Sequence, residues 1–405
     1  MNLPWMAWNA LPQEDYRRIR REAIFRYHKW DQQVGDVATL CPFPLIVQRS
    51  AWNEVTQLTE SLAEETQALE KELAGRPDLW SELGLPAAIV RAMRAGTALS
   101  LGKARLIRFD FHFTDEGWKI SEANTDVPGG WNEATGYPAL MAPFYPEHQP
   151  AEKFVDVYAR ALAADLASDA VVALVHATAY TDDRQAMVFL AEKLKGLGLR
   201  PCLVSPEQIE WKEGRASLRA DWCQEPAELI VRYFPGEWLP NLPRRSGWRH
   251  FFRGSVTPIS NPAMALLSQS NRLPLVWDKL KTPLPAWRRL LPECAEPRTV
   301  PWETDKNWIV KPALGRVGNG IGMRECITAK DWNEIRKQAT TRPGQWVAQK
   351  RFQTLPLSSP SGDVHPCLGV YTIDGKVAGA YGRLAARPLI DHQAQDVAIL
   401  ISDQP

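Results

Sequence analysis

The chain has 405 residues, of which 45% are hydrophobic and 23% charged, and its formal net charge is +1. This length permits more than one domain and a large core. The balanced charge offers no electrostatic footprint for a nucleic acid or an anionic membrane surface, so we expect neither as a partner. A polyanion that binds this protein must therefore be small and locally recognised.

No apolar run is long enough to cross a bilayer, and the N-terminus lacks a basic segment followed by an apolar stretch. We therefore expect a cytoplasmic location and no membrane partner. The six cysteines are scattered without a CxxC pair or nearby histidines, which argues against a disulfide framework and a zinc site. We expect buried, reduced thiols. The sequence leaves the oligomeric state open.

The first hundred residues have a largely helical pattern. Helices are predicted over 14–30, over about 50–74 and over 86–95. Further along, the segment 137–150 contains prolines and is predicted to be a connection, which makes it the first candidate domain boundary.

Between these regions, alternating polar and apolar residues predict a strand with Arg108, Asp110 and His112 on one face. The residues that follow, 115–117, end in glycine and are typical of a three-residue hairpin loop with the glycine in a left-handed conformation. Counting outward from such a loop places His112 opposite Ile120 on the returning strand.

The same count places Asp110 opposite Glu122 and Arg108 opposite Asn124. Like charges in this position are destabilising unless something neutralises them, and a divalent cation is the natural neutraliser. The hard oxygens of Asp, Glu and Asn favour Mg²⁺ over zinc. The alternative is a solvated hairpin face on which the two carboxylates diverge. With Mg²⁺ bound there, Asp110→Asn or Glu122→Gln should abolish turnover while folding stays intact or improves slightly.

The segment 151–270 has a pattern typical of a strand-helix-strand unit with parallel strands. Helices are predicted over 151–166 and 183–194, and strands over 170–176, 201–205 and 229–234. No GxGxxG joins the first strand to its helix, so a dinucleotide site is not supported. Asn261, which precedes a proline, is predicted to cap a helix.

A second group of residues follows a strand that is predicted to run from Trp308 to Lys311. Residues 315–322 contain four glycines, which let backbone amides approach phosphate oxygens, and Lys311 adds positive charge. The loop is not a Walker A sequence, and it is predicted to be a hairpin flap over a nucleotide. A plain flexible turn is the alternative, but the acidic hairpin upstream favours a triphosphate site.

Downstream, Thr328 is predicted to cap a helix over 330–337, and a strand is predicted over 345–352. Asp374-Gly375 is the strongest short hairpin signal in the chain. Arg383 lies on the second strand of that hairpin and is a candidate phosphate clamp, with an ordinary exposed strand arginine as the alternative.

These residues resemble the synthetase domain of glutathionylspermidine synthase, a family of ATP-grasp amide ligases. The resemblance covers most of the chain from about residue 100 onward. It is carried by Arg-Phe-Asp-Phe at 108–111, Glu-x-Asn-x-Asp-x-Pro at 122–128, Ser270-Asn271 with Leu-Pro-Leu-Val-Trp at 273–277, Val-Lys-Pro-x-x-Gly-Arg-x-Gly at 310–318, and Gln349 with Leu355-Pro356.

The resemblance implies an α/β (α+β) fold of the ATP-grasp type with a helical N-terminal region. It implies the circularly permuted order of glutathione synthetases, in which the metal-binding hairpin precedes the glycine loop. The predicted regions are 1–150 (N-terminal helices and hairpin), 151–270 (substrate and core domain), 271–360 (ATP-binding lid) and 361–405 (strands that return to the core).

The resemblance also implies the reaction, in which ATP phosphorylates a substrate carboxylate and an amine, possibly a polyamine, displaces the phosphate. Both substrates are small molecules, and the cofactors are ATP and Mg²⁺. The catalytic residues would be Arg108, as a clamp on the acyl phosphate, and Lys311. The resemblance also implies that the metal ligands are Asp110, Glu122 and Asn124. The ATP contacts that it implies are Asn271, Lys311, Gly315, Arg316, Gly318, Gly320, Gln349 and Arg383.

Three positions depart from the family pattern. Arg272 replaces a lysine, Gly129-Gly130 replaces hydroxyl residues, and the sequence after Arg383 lacks a glycine and an acid. The identity of the acid, glutathione included, and of the amine therefore stays open. Two other function classes remain as alternatives: a non-catalytic protein of this fold that binds ATP or another ligand, and a carboxylate phosphotransferase.

Overall fold

The computed structural model of the protein describes residues 3–96, 102–315, 318 and 320–403. None of the helices within these ranges is long and apolar enough to span a membrane. The helices are α1 (Gln13–Tyr27), α2 (Arg49–Ala74), α3 (Ala87–Arg94), α4 (Trp131–Met141), α5 (Phe154–Ala163), α6 (Thr181–Gly196), α7 (His250–Arg253), α8 (Leu266–Gln269), α9 (Pro285–Leu290) and α10 (Ala329–Thr341).

The strands are mostly short, and the longest belong to two hairpins. They are β1 (Trp5–Ala7), β2 (Gln33–Val34), β3 (Val37–Ala38), β4 (Leu45–Gln48), β5 (Leu106–Thr114), β6 (Gly117–Asn124), β7 (His148–Pro150), β8 (Val171–Val175), β9 (Arg200–Val204), β10 (Ile209–Lys212), β11 (Arg215–Leu218), β12 (Leu229–Arg232), β13 (Ile259–Ser260), β14 (Cys294–Ala295), β15 (Trp308–Pro312), β16 (Trp346–Lys350), β17 (Leu357–Ser359), β18 (Gly362–Ile373), β19 (Lys376–Ala385), β20 (Gln395–Val397) and β21 (Ile399–Ser402).

A six-stranded antiparallel sheet carries the residues on which the predicted site depends. Its order is β20-β19-β18-β5-β6, and β17 pairs with β18 at the side. The hairpin of β5 and β6 is thus joined to strands that lie about 250 residues further along the chain. One face of β5 buries Phe109 and Phe111 against tryptophans, as the alternation predicts.

Within the described ranges, three further sheets have three or four strands each, and two others, β2-β3 and β10-β11, have two. β8 and β9 are parallel neighbours in the sheet β13-β12-β8-β9 and are connected through α6, which confirms the predicted strand-helix-strand unit. The sheet β14-β16-β15 packs with α10 around a separate small core. The sheet β1-β4-β21-β7 brings the N-terminal and C-terminal strands together.

Local signals predicted several elements well. Thr328 caps α10, and its hydroxyl accepts a hydrogen bond from the backbone N–H of Asp331. Asp374 and Gly375 both have positive φ, at 50° and 85°, as the predicted tight hairpin requires.

Two local predictions were wrong. The segment 137–150, predicted as a connection, contains the end of α4 and all of β7, and it contributes to a buried core. Asn261 does not cap a helix. Its amide instead donates hydrogen bonds to the backbone carbonyls of Leu106 and Asp126, because these carbonyls meet it at the end of β5 and β6.

Candidate functional site

The hairpin of β5 and β6 brings the predicted acidic pair together, but by a different route from the predicted one. Thr114 pairs with Gly117, so the turn has one residue fewer than expected, and His112 faces Lys119 instead of Ile120. A β-bulge next to Asp110 then shifts the register by one residue. As a result Asp110 does lie opposite Glu122, and Arg108 lies opposite Asn124.

Asp110 is the centre of a buried ion cluster. Its Oδ1 accepts a hydrogen bond from Arg108 Nε at 2.7 Å, and its Oδ2 accepts from Arg108 Nη2 at 3.0 Å. Arg383 Nη2 reaches the same Oδ2 at 2.7 Å, and Asn124 Nδ2 lies 3.1 Å from it. Gly369 passes behind this group, and a Cβ there would lie 2.9 Å from both Arg108 Cδ and Asp110 Oδ1.

The sequence suggested a bound divalent metal ion as the natural neutraliser of the opposed carboxylates. In the structure two arginines neutralise them, because β19 places Arg383 beside the hairpin face. Burial raises the pKa of Asp110, but the guanidiniums of Arg108 and Arg383 outweigh it, and the pKa lies well below its ordinary value. Asp110 is therefore a fixed anion held between two cations.

Glu122 has a different environment from its partner. Burial and the charge of Asp110 raise its pKa, while Lys311 and Arg383 oppose the shift. Lys311 Nζ donates to the carbonyl oxygen of Ser121 at 2.9 Å, so the lysine lies at the bulge directly beside Glu122. Burial lowers the pKa of Lys311, and Glu122 acts against this effect.

A cavity of about 620 Å³ opens between this cluster and the sheet β14-β16-β15. Lys311, Arg383 and Glu122 lie in its wall, together with Gln349. Its apolar lining is formed by Ile309, Ile321, Met323, Phe352, Leu389 and Ile390. Apolar walls with a few convergent polar groups are typical of small-molecule sites. A nucleotide would match both features, because its base is suited to the apolar walls and its phosphates to the cationic groups.

A second, larger cavity of about 1490 Å³ lies on the other side of the cluster. Among the described residues that line it are eight carboxylic side chains and three cationic ones, Lys29, Arg108 and Arg383. The carboxylic residues are Asp31, Glu122, Glu133, Asp182, Asp183, Glu237, Asp391 and Asp396. This cavity has the charge that a cationic ligand requires.

Lys29 forms a second buried ion cluster in the wall of the larger cavity. Its Nζ lies 2.5 Å from Glu133 Oε1, 3.1 Å from Asp31 Oδ1 and 3.3 Å from Asp396 Oδ2. Burial lowers the pKa of Lys29, but these carboxylates outweigh it and raise the pKa well above its ordinary value. Sequence reasoning missed this cluster, because Lys29 lies outside any motif and two of its partners, Glu133 and Asp396, are far away along the chain.

The two cavities meet at Glu122 and Arg383, which line both. The model of the family described as glutathionylspermidine synthase preATP-grasp matches residues 13–402. The chain belongs to this family. The resemblance that the motifs indicated is therefore confirmed.

The fold of this family member is shared with a structure of a glutathione synthetase-like effector from Globodera pallida in its apo form. The two chains are 12% identical with a TM-score of 0.65, and the match covers 96% of this chain and 98% of the other. A protein from Methylobacillus flagellatus assigned as a gamma-glutamylcysteine synthetase gives 13% identity and a TM-score of 0.43, over 84% of this chain and 88% of the other. The comparison with curated proteins gives no match.

Of the other predicted residues of this glutathionylspermidine synthase-family chain, two glycines line the cavities, one each. Gly318 lines the smaller one, and in its left-handed conformation (φ 69°) an added Cβ would lie 2.4 Å from the carbonyl oxygen of Ile390. Gly315 lines the larger one. A Cβ at Gly320 would lie 3.5 Å from Pro312 Cγ. Arg316 lies outside the described residues.

Asn271 and Arg272 do not line either of these cavities. Asn271 Nδ2 donates to the carbonyl of Pro312 at 2.9 Å and lines a smaller neighbouring cavity of about 340 Å³ with Lys311 and Gln349. Arg272 donates to the carbonyl oxygens of Glu82 at 2.7 Å and Trp346 at 2.6 Å. The arginine at the position of the family's lysine thus connects its own segment to the backbone at Glu82 and at Trp346.

Proposed function

We propose that the protein is an ATP-dependent ligase that joins a small, peptide-like acid to an amine through an acyl phosphate. The observation that supports this most strongly is the meeting of two unlike cavities at Glu122 and Arg383. One cavity has the apolar and cationic lining that a nucleotide needs, and the other is large and mainly acidic. A reaction that joins groups from two cavities requires such a junction.

ATP is proposed to occupy the smaller cavity. Its base would lie against apolar side chains such as Met323 and Leu389, and its phosphates would extend toward Lys311 and Arg383. Gln349 is 3% exposed, and its Oε1 is without a hydrogen-bond partner within the described part of the chain. This acceptor is available for the amino group of a base.

The residues present fit Mg²⁺ as the companion of ATP. Asp110, Glu122 and Asn124 are hard-oxygen donors on one hairpin face, and such donors suit this ion. Asn124 Nδ2 lies 3.4 Å from Glu122 Oε1, so a turn of the amide would present its oxygen at the same place. When bound, the ion would supply electrophilic activation of the transferred phosphoryl group.

The chemistry is proposed to take place at the junction. A carboxylate oxygen of the acid forms a bond to the γ-phosphorus while the bond to ADP breaks, and Arg108 and Arg383 offset the developing negative charge. The amine nitrogen then attacks the carbonyl carbon, and phosphate leaves. Fixed cations lower such a barrier because they need no reorganisation, and no protein nucleophile is required. The glycine loop is proposed to exclude water from the acyl phosphate.

The larger cavity supports a polyamine as the amine. One protonated nitrogen would need only one carboxylate, whereas this cavity has a surplus of carboxylates spread along its wall. Asp182 lies in the first turn of α6, and burial together with the charge of Asp31 raises its pKa. A second ammonium group at this position would relieve that repulsion.

We also propose that the fold is a circularly permuted ATP-grasp. The hairpin of β5 and β6 precedes the glycine loop in the chain, and β18 and β19 return to pair beside it. This order is the one that the family resemblance implies.

Purified protein with Mg²⁺ and ATP should be screened against acids, amines and a metabolite extract. The expected result is release of ADP together with a product whose mass is that of acid plus amine minus water. ATP binding that protects the glycine loop from protease without any turnover would instead indicate a non-catalytic binding protein. Trapping of an acyl product by hydroxylamine without amide formation would indicate a phosphotransferase. Absence of both binding and turnover would reject the enzyme.

A further inference from the structure

The carboxylate of Asp110 is already fully used in the protein without ligands. It is completely buried, and its two oxygens accept hydrogen bonds from Arg108, Arg383 and Asn124. Oδ2 accepts three of these hydrogen bonds, and Oδ1 accepts one and is covered by Gly369, where an added Cβ would lie 2.9 Å from it. A metal ion therefore reaches Oδ2 only when one of its donors leaves.

Of the two arginines that hold Asp110, Arg383 forms fewer hydrogen bonds. Arg108 also donates to the carbonyl of Gly129 at 2.8 Å, and its guanidinium lies 5.3 Å from the ring centre of Tyr381. Besides Asp110, Arg383 has a 3.6 Å contact with Cys367 Sγ and lies 5.4 Å from the same Tyr381 ring, but it donates to no backbone carbonyl, and its buried Nε is without a partner within the residues that the structure describes. It also lines the nucleotide cavity, so phosphate oxygens there are accessible to it.

The positive charge of the cluster opposes the binding of a metal ion alone but not the binding of a metal ion together with a nucleotide. Arg108, Arg383 and Lys311 face the two carboxylates Asp110 and Glu122, so the formal charge is already positive. A divalent cation by itself would raise the formal excess from about +1 to about +3 in a buried site. A triphosphate carries about four negative charges and reverses that balance.

We propose, on the basis of the function proposed above, that Arg383 occupies the metal's place at Asp110 in the nucleotide-free protein and transfers to the triphosphate when the nucleotide binds. The metal ion therefore binds together with the nucleotide and not ahead of it. Arg383 acts in this exchange as a positioning residue for the metal and as a phosphate contact for the nucleotide.

The test measures metal binding without turnover. Mn²⁺ is titrated into the wild-type protein with and without the non-hydrolysable analogue AMP-PNP, and free Mn²⁺ is followed by electron paramagnetic resonance. We expect wild-type protein to bind Mn²⁺ at least about tenfold more tightly with AMP-PNP than without it. Arg383→Gln should bind Mn²⁺ alone at least about tenfold more tightly than the wild type does.

Two further variants test whether Mn²⁺ binding depends on a positive charge beside Asp110 or only on the net charge of the protein. Arg383→Lys keeps a cation beside Asp110 and should exclude Mn²⁺ as the wild type does. Arg49→Gln removes a positive charge from an exposed pair with Asp403 and should leave Mn²⁺ binding unchanged. Urea unfolding of each variant establishes that it folds. Tight binding of Mn²⁺ by the wild type without AMP-PNP contradicts the proposal whether or not Arg383→Gln folds.

The proposal is overturned if wild-type protein binds Mn²⁺ equally tightly with and without AMP-PNP, or if a folded Arg383→Gln gains no affinity for the ion. The proposed function fails separately if calorimetry detects no binding of AMP-PNP in any condition, and the exchange then fails with it. Binding of AMP-PNP with unchanged Mn²⁺ affinity overturns the exchange alone.

Discussion

The two buried ion clusters have opposite charge surpluses. Around Asp110, the cations Arg108, Arg383 and Lys311 outnumber the carboxylates. Around Lys29 a single ammonium faces several carboxylates. Tyr381 links the two, because its hydroxyl donates to Asp396 at 2.6 Å while its ring lies 5.3 Å from the Arg108 guanidinium carbon. The Asp110 cluster thus suits a phosphate group, and the Lys29 cluster suits an ammonium group.

The comparison also shows how the two clusters tolerate burial. In the Asp110 cluster the anion is fixed by two guanidiniums, and in the Lys29 cluster the cation is fixed by three carboxylates. Removing the central ion from either cluster leaves buried partners of like charge without their shared counter-ion. The variants below test the Asp110 cluster and the acidic cavity that contains Lys29, in order of the expected size of the effect.

Asp110→Asn should have the largest effect and should lower the free energy of unfolding by about 3–5 kcal/mol, because Arg108 and Arg383 would lose their shared buried anion. This reverses the expectation from the sequence, which had no information on either arginine's contact with Asp110. Urea denaturation measures the change. Asp403→Asn, in an exposed pair, is the control and should change the stability by less than about 1 kcal/mol. A fully stable Asp110→Asn would contradict the cluster.

Lys311→Met should lower the rate of ADP release by about 10²–10³-fold, because a fixed cation is lost where charge develops. Lys376→Met, at a side chain that is 80% exposed, is the control and should keep the full rate. Steady-state assays of both variants, with folding checked by circular dichroism, measure the difference. Wild-type turnover of Lys311→Met would contradict the proposed contact between Lys311 and the phosphates of ATP.

Asp182→Asn should raise KM for the amine about tenfold and leave kcat and the KM for ATP unchanged, because it removes one carboxylate from the ammonium end. The matched control is Asp165→Asn, whose side chain is 86% exposed in a loose pair with Lys103. Initial rates at varied amine concentration separate the two constants. An equal rise in the KM for ATP would show that the acidic cavity does not act on the amine alone.

On the free energy of unfolding, Glu122→Gln should have a small effect, with the opposite sign from that of Asp110→Asn. Burial and the charge of Asp110 raise the pKa of Glu122, so the folded state binds its proton more tightly than the unfolded state does. Its contribution to stability therefore falls as the pH rises from the ordinary carboxyl range through the raised pKa. Glutamine should flatten this dependence at pH values above the ordinary carboxyl range in urea titrations. An unchanged slope would show that Glu122 is an ordinary carboxylate.

Features that depend on near neighbours could be predicted from the sequence. The tight turn at Asp374-Gly375 and the Thr328 cap follow from backbone geometry that a few residues determine. The opposition of Asp110 and Glu122 was also predicted, but only because two errors cancelled. The turn is one residue shorter than expected, and the bulge at Ser121 restores the register.

Features that depend on strand order could not be predicted. Arg383 reaches Asp110 because β18 lies between β19 and β5, and no local pattern determines that order. The same holds for Lys29, whose partners Glu133 and Asp396 come from α4 and β20. The charge surplus of each cluster therefore could be recognised only from the three-dimensional structure.

The most direct test uses an acid–amine pair that supports ADP release, with the carboxylate of the acid labelled with heavy oxygen. If the carboxylate attacks the γ-phosphate at the junction of the two cavities, one labelled oxygen must appear in the released phosphate, as mass spectrometry would show. Released phosphate without the label, from a reaction that still forms the amide, would contradict an acyl phosphate and with it the proposed use of this site.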